Sequence, residues 1–286
     1  MKHIKRAIIF FLIIIFSASI LSIYLYFKKP EGEMIYYRDK VLVISYQHVA
    51  QKTNSATITP QLFAAHMQTI KDYGYNVISM EQFLKFMDKQ GTVPPNALVI
   101  TFEDGYESFY TQAYPILNNF GYVASNFIVV APTEESNTEI PHLSWDQMRE
   151  LKKIGMSFYS HTYDSHKITT DKNGAQTYVL TSPIFLEKTK NWETQEEYEA
   201  RVREDLQKAD NFLQDKLENQ RKLLAFPYGA YNPTVLNIAQ QLGIEYFFTE
   251  KEGINEPGMK EIKRINVGAP DISPLFFLWK LKTNDE

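Results

Sequence analysis

One segment determines most of what the sequence predicts about the fold, and it reads Ala97-Leu98-Val99-Ile100-Thr101-Phe102-Glu103-Asp104-Gly105. Its first six residues form a continuous apolar and β-branched run, which is typical of a strand buried on both faces. An acid-acid-Gly sequence follows, and by itself this is an ordinary solvated turn. It becomes a candidate site if other reactive residues follow neighbouring strands, because folds with parallel strands place their sites at the carboxyl ends of those strands.

Strand-like and helix-like segments alternate on both sides of this run. Val41 to Ser45 is another buried-strand pattern, and Thr59-Pro60 begins a helix that runs to Gly74. Further strands are predicted at 76–78, 124–130, 157–160, 223–226, 246–249 and 262–267, further helices at 114–120, 196–217 and 235–242, and capping boxes at 79–82 and 144–147. The alternation predicts an α/β protein, and we favour a closed or distorted (β/α) barrel over an open sheet. Residues 167–193 are predicted to be a polar, irregular insertion.

Two of the six histidines follow the short strand predicted at 157–160, in the segment Ser160-His161-Thr162-Tyr163-Asp164-Ser165-His166. Imidazole is a usual ligand of zinc and similar ions. A histidine pair alone is more often structural, but one carboxylate from Glu103-Asp104 would complete a three-ligand site with a position left for water. The chain has no cysteine, so disulfides are excluded and a metal would have only histidine and carboxylate ligands.

A third segment, Phe226-Pro227-Tyr228-Gly229, follows another predicted strand. Proline and glycine are common in ordinary turns. As a functional element, the turn would place a backbone N–H beside an oxyanion and an aromatic ring beside a sugar.

Taken together, these segments resemble the polysaccharide deacetylases, also called NodB-homology or carbohydrate esterase family 4 enzymes. The family's first motif is usually Thr-Phe-Asp-Asp-Gly, which Thr101 to Gly105 match except at Glu103. The second motif, His-Ser/Thr and a later His, is matched by His161, Thr162 and His166, and the third by Pro227 to Gly229.

Within this family, the chain is most similar to the poly-β-1,6-N-acetylglucosamine (intercellular adhesin) deacetylases. The features that it shares with them are the spacing of His161 and His166, Leu143-Ser144-Trp145, the runs 193–198 and 201–206, and Lys263-Arg264-Ile265. The resemblance covers about residues 40 to 268 and implies a NodB-type distorted barrel.

The resemblance also implies a role for each matching residue. Asp104, His161 and His166 would bind a divalent metal ion, usually zinc, and Glu103 would be the general base that deprotonates the bound water. The backbone N–H of Tyr228 would stabilise the oxyanion, and the products would be acetate and a free amine on the sugar. Further candidate oxyanion or substrate residues are Pro227, Trp145, His48 and Arg264, where Trp145 either lines the sugar site or packs the start of its helix.

The sequence departs from the family in three places. Glu103 replaces an aspartate and extends the carboxylate by about one methylene. A ~1 Å misplacement can cost ~10²-fold in rate, so the site is either adapted to glutamate or impaired. Tyr46-Gln47-His48 stands where many relatives have Tyr-His, so either Gln47 or His48 fills the histidine position. No histidine follows His166, so the leaving amine would be protonated by Glu103 or water, and Arg264 either orients the base or is a surface charge.

The N-terminus predicts a membrane anchor. The run from Ala7 to Phe27 is apolar apart from three serines, and a membrane span needs roughly 20 such residues. Lys2, Lys5 and Arg6 precede it, which predicts a cytoplasmic N-terminus and an extracellular domain. A cleaved signal peptide is the alternative, and the uncleaved anchor is favoured because the apolar run is long.

These observations predict residues 1–29 as stub and anchor, 30–40 as linker and 41–286 as the deacetylase domain. The net charge of -4 gives no basic excess for nucleic acid. The expected partners are an N-acetylated polysaccharide, the membrane and polysaccharide synthesis or export machinery. The leading hypothesis is removal of N-acetyl groups from poly-N-acetylglucosamine. The alternatives are a peptidoglycan or other wall-glycan deacetylase and a catalytically impaired glycan-binding homologue.

Overall fold

The computed structural model describes residues 10–21, 34–134, 138–218 and 221–284, and within them nine strands form one main sheet. The strands are, in chain order, β1 Val41–Tyr46, β2 His48–Val49, β3 Thr57–Ile58, β4 Asn76–Val77, β5 Ala97–Asp104, β6 Ser125–Ile128, β7 Ser157–Ser160, β8 Ile168–Thr170, β9 Gln176–Tyr178, β10 Phe185–Leu186, β11 Asn191–Trp192, β12 Leu223–Ala225, β13 Tyr246–Phe248, β14 Glu261–Ile262 and β15 Ile265–Asn266. The main sheet has the order β14-β13-β12-β7-β6-β5-β1-β15, with β4 beside the start of β5. Its pairings are all parallel, as the alternation predicts.

The sheet curls into a half-barrel, and its two edges are joined by a very short link. β14 lies at one end of the strand order and β15 at the other, yet only Lys263 and Arg264 separate them in the chain. The three steps from Ile262 to Ile265 span at most about 11 Å, so the edges must lie close together. The predicted α/β distorted barrel is therefore confirmed at the level of a curled parallel sheet.

Alternate residues of the central strands pack on opposite faces of the sheet. Val41, Val43 and Val99 belong to one buried cluster, which includes Phe127 and Phe248. Their neighbours Leu42, Ile44, Leu98 and Ile100 belong to another cluster, which includes residues of the surrounding helices. Both faces of β5 are covered, so all its positions are buried, which is why its sequence is continuously apolar up to the two acids.

The helices begin where the sequence supplies capping groups. Thr59, Ser79, Ser144, Thr194, Asn232 and Ser273 each accept a hydrogen bond from a backbone N–H in the first turn of the helix that follows. The helices are Pro60–Asp72, Met80–Met87, Tyr114–Phe120, Val130–Glu134, Trp145–Lys152, Gln195–Leu217, Pro233–Gln241 and Pro274–Thr283, with a π-helical turn at Phe109–Ala113.

The structure corrects the predicted secondary structure at two segments and adds a helix. Residues 262–267 are not one strand but parts of β14 and β15, because the chain crosses there from one edge of the sheet to the other. The insertion at 167–193 is not irregular, since it forms the antiparallel hairpins β8-β9 and β10-β11. The helix Pro274–Thr283 was not predicted, and it packs Phe277, Leu278 and Leu281 into the core.

The predicted membrane span from Ala7 to Phe27 lies partly outside the described residues. Its described part, residues 10–21, is helical and exposed. Among the residues that the structure describes, no helix combines the length and the apolar character needed to cross a membrane.

His66 links the helix Pro60–Asp72 to the rest of the core. Its Nε2 lies 2.7 Å from the carbonyl oxygen of Ile272, so Nε2 carries the proton and donates. Its Nδ1 then accepts from the hydroxyl of Tyr46, at 3.1 Å. The ring also stacks on Phe277, with centroids 4.3 Å apart. Burial lowers the pKa of His66 to about 4, although the bond to Ile272 opposes this shift.

We expect the fold to lose stability in acid through His66. The unfolded chain has a histidine pKa near 6.5 and binds the proton first, so stability falls as pH drops from about 6.5 through 4. The full contribution is on the order of 3 kcal/mol. His66→Gln keeps a donor and an acceptor but does not titrate. Urea unfolding at pH 7, 5.5 and 4 should show that the free energy of unfolding falls less with decreasing pH in the variant than in the wild type. An equal fall in both proteins would contradict the prediction.

Candidate metal and catalytic site

Asp104, His161 and His166 converge at the carboxyl edge of the sheet. Asp104 ends β5, and the two histidines lie in the loop after β7. The Oδ1 of Asp104 is 3.6 Å from Nε2 of His161 and 3.3 Å from Nε2 of His166. One ligand atom from each residue lies within 4.8 Å of the others, so a single ion fits between them. The structure thus brings together the three predicted ligands.

Backbone conformation aims the carboxylate of Asp104 into the site. The sequence predicts a turn at Glu103, but β5 continues through Asp104. Asp104 then has a left-handed backbone, with φ at 68°. Gly105 follows with φ at 79°, and a Cβ there would lie 2.9 Å from Cγ2 of Ile128. Glycine is therefore required after the two acids, both for conformation and for space.

The hydrogen bonding of His161 fits a metal ligand. Its Nδ1 lies 2.9 Å from the carbonyl oxygen of Ala225, so Nδ1 carries the proton and donates. Nε2 is then an unprotonated acceptor, and it is buried without a hydrogen-bond partner. A fixed tautomer of this kind is usual for histidines that bind metals. A divalent cation would satisfy the atom that the protein leaves without a partner.

The electrostatics of the cluster also favour a cation. Burial lowers the pKa of His161 to about 3, so its imidazole is neutral at physiological pH. Burial and the charge of Glu103 raise the pKa of Asp104 to about 7. A carboxylate is thus held beside unprotonated imidazole nitrogen and a second acid, an arrangement that a bound divalent cation would stabilise.

Asp205 holds the loop that carries both histidines, a role that its place in the run 201–206 did not reveal. Its carboxylate accepts from the backbone N–H groups of Tyr163 and Asp164, each at 2.9 Å. Asp205 projects from the helix Gln195–Leu217 between Val202 and Leu206, which are fully buried. An acid on the apolar stripe of an amphipathic helix was the signal that could have revealed it.

We expect Asp205→Ala to weaken metal binding without touching a ligand. The loop would lose two charge-assisted hydrogen bonds, and removal of such supporting groups typically costs ~10–100-fold in metal affinity. Zinc competition with a fluorescent chelator measures this. Glu204→Ala removes a neighbouring exposed acid on the same helix and should leave the affinity unchanged. Equal affinities for both variants and the wild type would disprove the role of Asp205.

Glu103 and Arg264 form a buried ion pair beside the three candidate ligands. The Nη2 of Arg264 lies 2.6 Å from Oε1 of Glu103, and their side chains are only 1% and 5% exposed. Arg264 lies in the link between β14 and β15, and its Nε donates to the carbonyl oxygen of Thr249 at 2.9 Å. The prediction that Arg264 is a surface charge is wrong, because its side chain is buried. Arg264 instead contacts Glu103, the candidate base.

This ion pair sets the charge of Glu103. Burial alone raises the pKa of Glu103, but the guanidinium of Arg264, with smaller contributions from His161 and His166, lowers it below the usual value. Glu103 is therefore an ionised carboxylate at neutral pH, which is the form that a general base requires.

The Pro227-Tyr228-Gly229 segment forms a strained turn just after the end of β12. Tyr228 has a left-handed backbone with φ at 58°, as does Gly229 with φ at 62°. A Cβ at Gly229 would lie 2.8 Å from Cγ of Glu250, so the turn cannot accept a larger residue without displacing that side chain. The ring of Tyr228 stacks on His166 with centroids 4.4 Å apart. The third predicted segment thus adjoins the ligand cluster.

The remaining candidates lie at the margin of the site or away from it. His48 lies 3.2 Å from Oγ1 of Thr57, and its ring is 5.1 Å from that of Tyr106. Tyr106, which the sequence did not single out, forms a side-chain hydrogen bond with Asp104 that partly opposes the rise in the pKa of Asp104. Trp145 stacks on Phe212, with centroids 6.4 Å apart, and its Nε1 donates to a carboxylate oxygen of Glu134 at 2.5 Å.

A curled parallel sheet with an Asp-His-His cluster at its carboxyl edge defines the class, a hydrolase of the NodB deacetylase type. A family model described as polysaccharide deacetylase matches residues 90–247, more than half of the chain. The chain belongs to the polysaccharide deacetylase family and is a hydrolase of amide bonds.

Named relatives agree with this family assignment. The chain is 23% identical over 269 residues to a poly-β-1,6-N-acetyl-D-glucosamine N-deacetylase of Staphylococcus aureus, covering 87% of this chain and 86% of the relative. It is 27% identical to the enzyme of that name from Escherichia coli, covering 72% of this chain but 35% of that longer protein. The solved structure of a de-N-acetylase from Aggregatibacter actinomycetemcomitans superposes with a TM-score of 0.74 at 26% identity, covering 80% of this chain and 95% of the other.

Proposed function

We propose that the chain hydrolyses N-acetyl groups of poly-β-1,6-N-acetylglucosamine with the help of a bound divalent metal ion, zinc by preference. The observation that carries this proposal is the buried Nε2 of His161, which lacks a hydrogen-bond partner and points to Asp104 and His166 beside an ionised Glu103. Such an arrangement suits attack by water on an amide. The names of the relatives from Staphylococcus aureus and Escherichia coli support the choice of glycan.

Each residue of the site has a separate part in the proposed amide hydrolysis. A divalent cation held by Asp104, His161 and His166 would supply Lewis acidity toward water and the acetamide oxygen. Glu103 takes a proton from water as its oxygen bonds to the acetamide carbon. The backbone N–H of Tyr228 donates to the developing oxyanion. The carbon–nitrogen bond then breaks, and the proton held by Glu103 passes to the leaving amine, which gives acetate and the free amino sugar.

Arg264 supports the proposed reaction by positioning the general base, Glu103. It holds one oxygen of Glu103, so the carboxylate is fixed in position and the other oxygen remains for the proton transfer. The longer side chain of Glu103 is matched by this partner, which favours an adapted site over an impaired one.

We also propose an extracellular location, with the domain tethered to the cell membrane and close to the machinery that makes or exports the polysaccharide. The support for this comes from the sequence alone: the apolar run from Ala7 to Phe27 and the basic residues before it.

Acetate release by the purified full-length chain tests the proposed activity. The substrates are oligomers of β-1,6-linked N-acetylglucosamine, with zinc added, with chelator, and with zinc restored. Release that stops with chelator and returns with zinc is the expected result. A zinc-loaded protein that releases acetate only from peptidoglycan fragments would overturn the choice of glycan. Release from neither would leave a glycan-binding homologue.

A further inference from the structure

Three aromatic rings form a continuous stack that starts at a candidate metal ligand. His166 stacks on Tyr228 with centroids 4.4 Å apart, and Tyr228 stacks on Tyr178 with centroids 4.8 Å apart. The planes are inclined by only 28° and 22°. Tyr228 is therefore held between two rings. Its left-handed backbone costs roughly 1–2 kcal/mol for a residue with a Cβ, so it needs such support from its surroundings.

The outer ring of the stack comes from the insertion. The hairpin β8-β9 begins two residues after His166, and its register pairs Ile168 with Tyr178. The returning strand thus brings Tyr178 back beside the histidine from which the hairpin starts. A β-hairpin of three-residue strands has little stability of its own, so the position of Tyr178 depends on what holds the chain after it.

Four successive carbonyl groups after Tyr178 are held by side chains of the protein body. Arg201 donates to the carbonyls of Val179 and Ser182, each at 3.0 Å. The carbonyl of Leu180 accepts from Tyr198 at 3.1 Å, and that of Thr181 accepts from Asn232 at 2.9 Å. The side chain of Leu180 is fully buried. Tyr178 therefore stands at the start of a firmly anchored segment.

The helix Gln195–Leu217 supplies three of these four hydrogen bonds, through Tyr198 and Arg201, and it also holds the histidine loop. Arg201 forms a two-pronged ion pair with Glu193, with nitrogen–oxygen distances of 2.7 and 3.0 Å. Arg201 and Asp205 are one helical turn apart on Gln195–Leu217, so one rigid element fixes the insertion and the loop of His161 and His166. The insertion and the site are thus built as one unit.

We propose that Tyr178 is a positioning residue of the site. By holding the ring of Tyr228 against His166, it keeps the imidazole aimed at the metal position and keeps the Tyr228 backbone N–H aimed at the oxyanion. The second of these effects rests on the proposed function, whereas the first concerns metal binding alone.

The test uses the full-length protein with the variants Tyr178→Ala, Tyr178→Leu and Tyr178→Phe. Zinc affinity, measured by chelator competition, should fall ~10-fold or more for Ala and Leu, the range found when groups that orient a ligand are removed. The kcat for acetate release should fall by a similar factor of ~10 while KM changes little, because the lost contact is not with substrate. Tyr178→Phe retains the flat ring and should match the wild type in both measurements.

Phe185→Ala is the matched control. It removes an exposed aromatic side chain from β10 of the same insertion, where the ring contacts Trp192 and not the stack. Its zinc affinity and kcat should equal those of the wild type. Melting temperatures show which variants are folded, and Tyr178→Leu keeps apolar volume should the alanine variant unfold.

Two results would overturn the proposal. Wild-type zinc affinity and kcat in the folded Ala or Leu variant would show that the stack positions nothing. A higher KM with unchanged kcat and zinc affinity would make Tyr178 a substrate contact instead. A wild-type protein that releases no acetate contradicts the proposed function, and the zinc measurements then decide the positioning role by themselves.

Discussion

Asp104→Ala should lose zinc and acetate release together, whereas Glu103→Gln should lose acetate release and keep zinc. Among the residues that the structure describes, Asp104 is the only carboxylate grouped with the two histidines, so its removal leaves two ligands in that cluster. Glu103 instead faces Arg264, and its amide would keep the shape of the site but could not accept a proton. The loss of a general base typically costs ~10²–10⁴-fold in rate.

Bound zinc is counted per chain after gel filtration, and acetate release is followed with saturating β-1,6-N-acetylglucosamine oligomers. Lys251→Ala is a suitable control, since Lys251 is an exposed residue paired with Glu261 on the surface. Full turnover by Glu103→Gln would remove Glu103 from the role of base, and full zinc content in Asp104→Ala would remove Asp104 from the ligands.

Glu103→Asp separates an adapted site from an impaired one. The change restores the residue that is usual in the family but withdraws the carboxylate by about one methylene from Arg264. In a site built around glutamate, this shift of ~1 Å should lower kcat by up to ~10²-fold. A rise in kcat would instead mean that Glu103 limits the wild-type enzyme.

The segments of the site that directly follow a strand can be predicted from the sequence. The position of Arg264 cannot, because it depends on how the two edges of the sheet come together. The apolar run from Ala97 predicts β5, and the order of the strands predicts that the segments following β5, β7 and β12 share one edge. Lys263-Arg264 is polar and short, so nothing nearby in the sequence shows that Arg264 is buried. Its burial arises because β14 and β15 lie on opposite edges of the sheet and the curl brings those edges together.

The insertion illustrates a second limit. Its strands have only two or three residues and its sequence is polar, so no apolar periodicity marks the hairpins. What fixes the segment after Tyr178 is a set of hydrogen bonds from Arg201, Tyr198 and Asn232 to backbone carbonyls. Carbonyl groups are the same in every residue, so the sequence carries no signal for them. Asp205 differs, because an acid on a buried helical stripe is visible in the sequence.

Arg264→Met should be the most destabilising single change near the site. It leaves the carboxylate of Glu103 buried without its partner, and removal of one member of a buried ion pair typically costs ~3–5 kcal/mol. The bond from Nε to the carbonyl oxygen of Thr249 is lost as well, which frees the link between the two edges of the sheet. Urea unfolding of the metal-free protein measures the loss, so that zinc binding does not contribute.

The double variant Arg264→Met, Glu103→Gln identifies the cause. If the cost comes from an unpaired buried charge, neutralising Glu103 should restore a large part of the stability, because the coupling between paired residues appears as non-additivity. Acetate release should be absent from the double variant, since no base is present. Additive losses of stability would mean that Arg264 acts through Thr249 and packing alone. A stable Arg264→Met variant with normal kcat would show that Glu103 needs no cation beside it to work as a base.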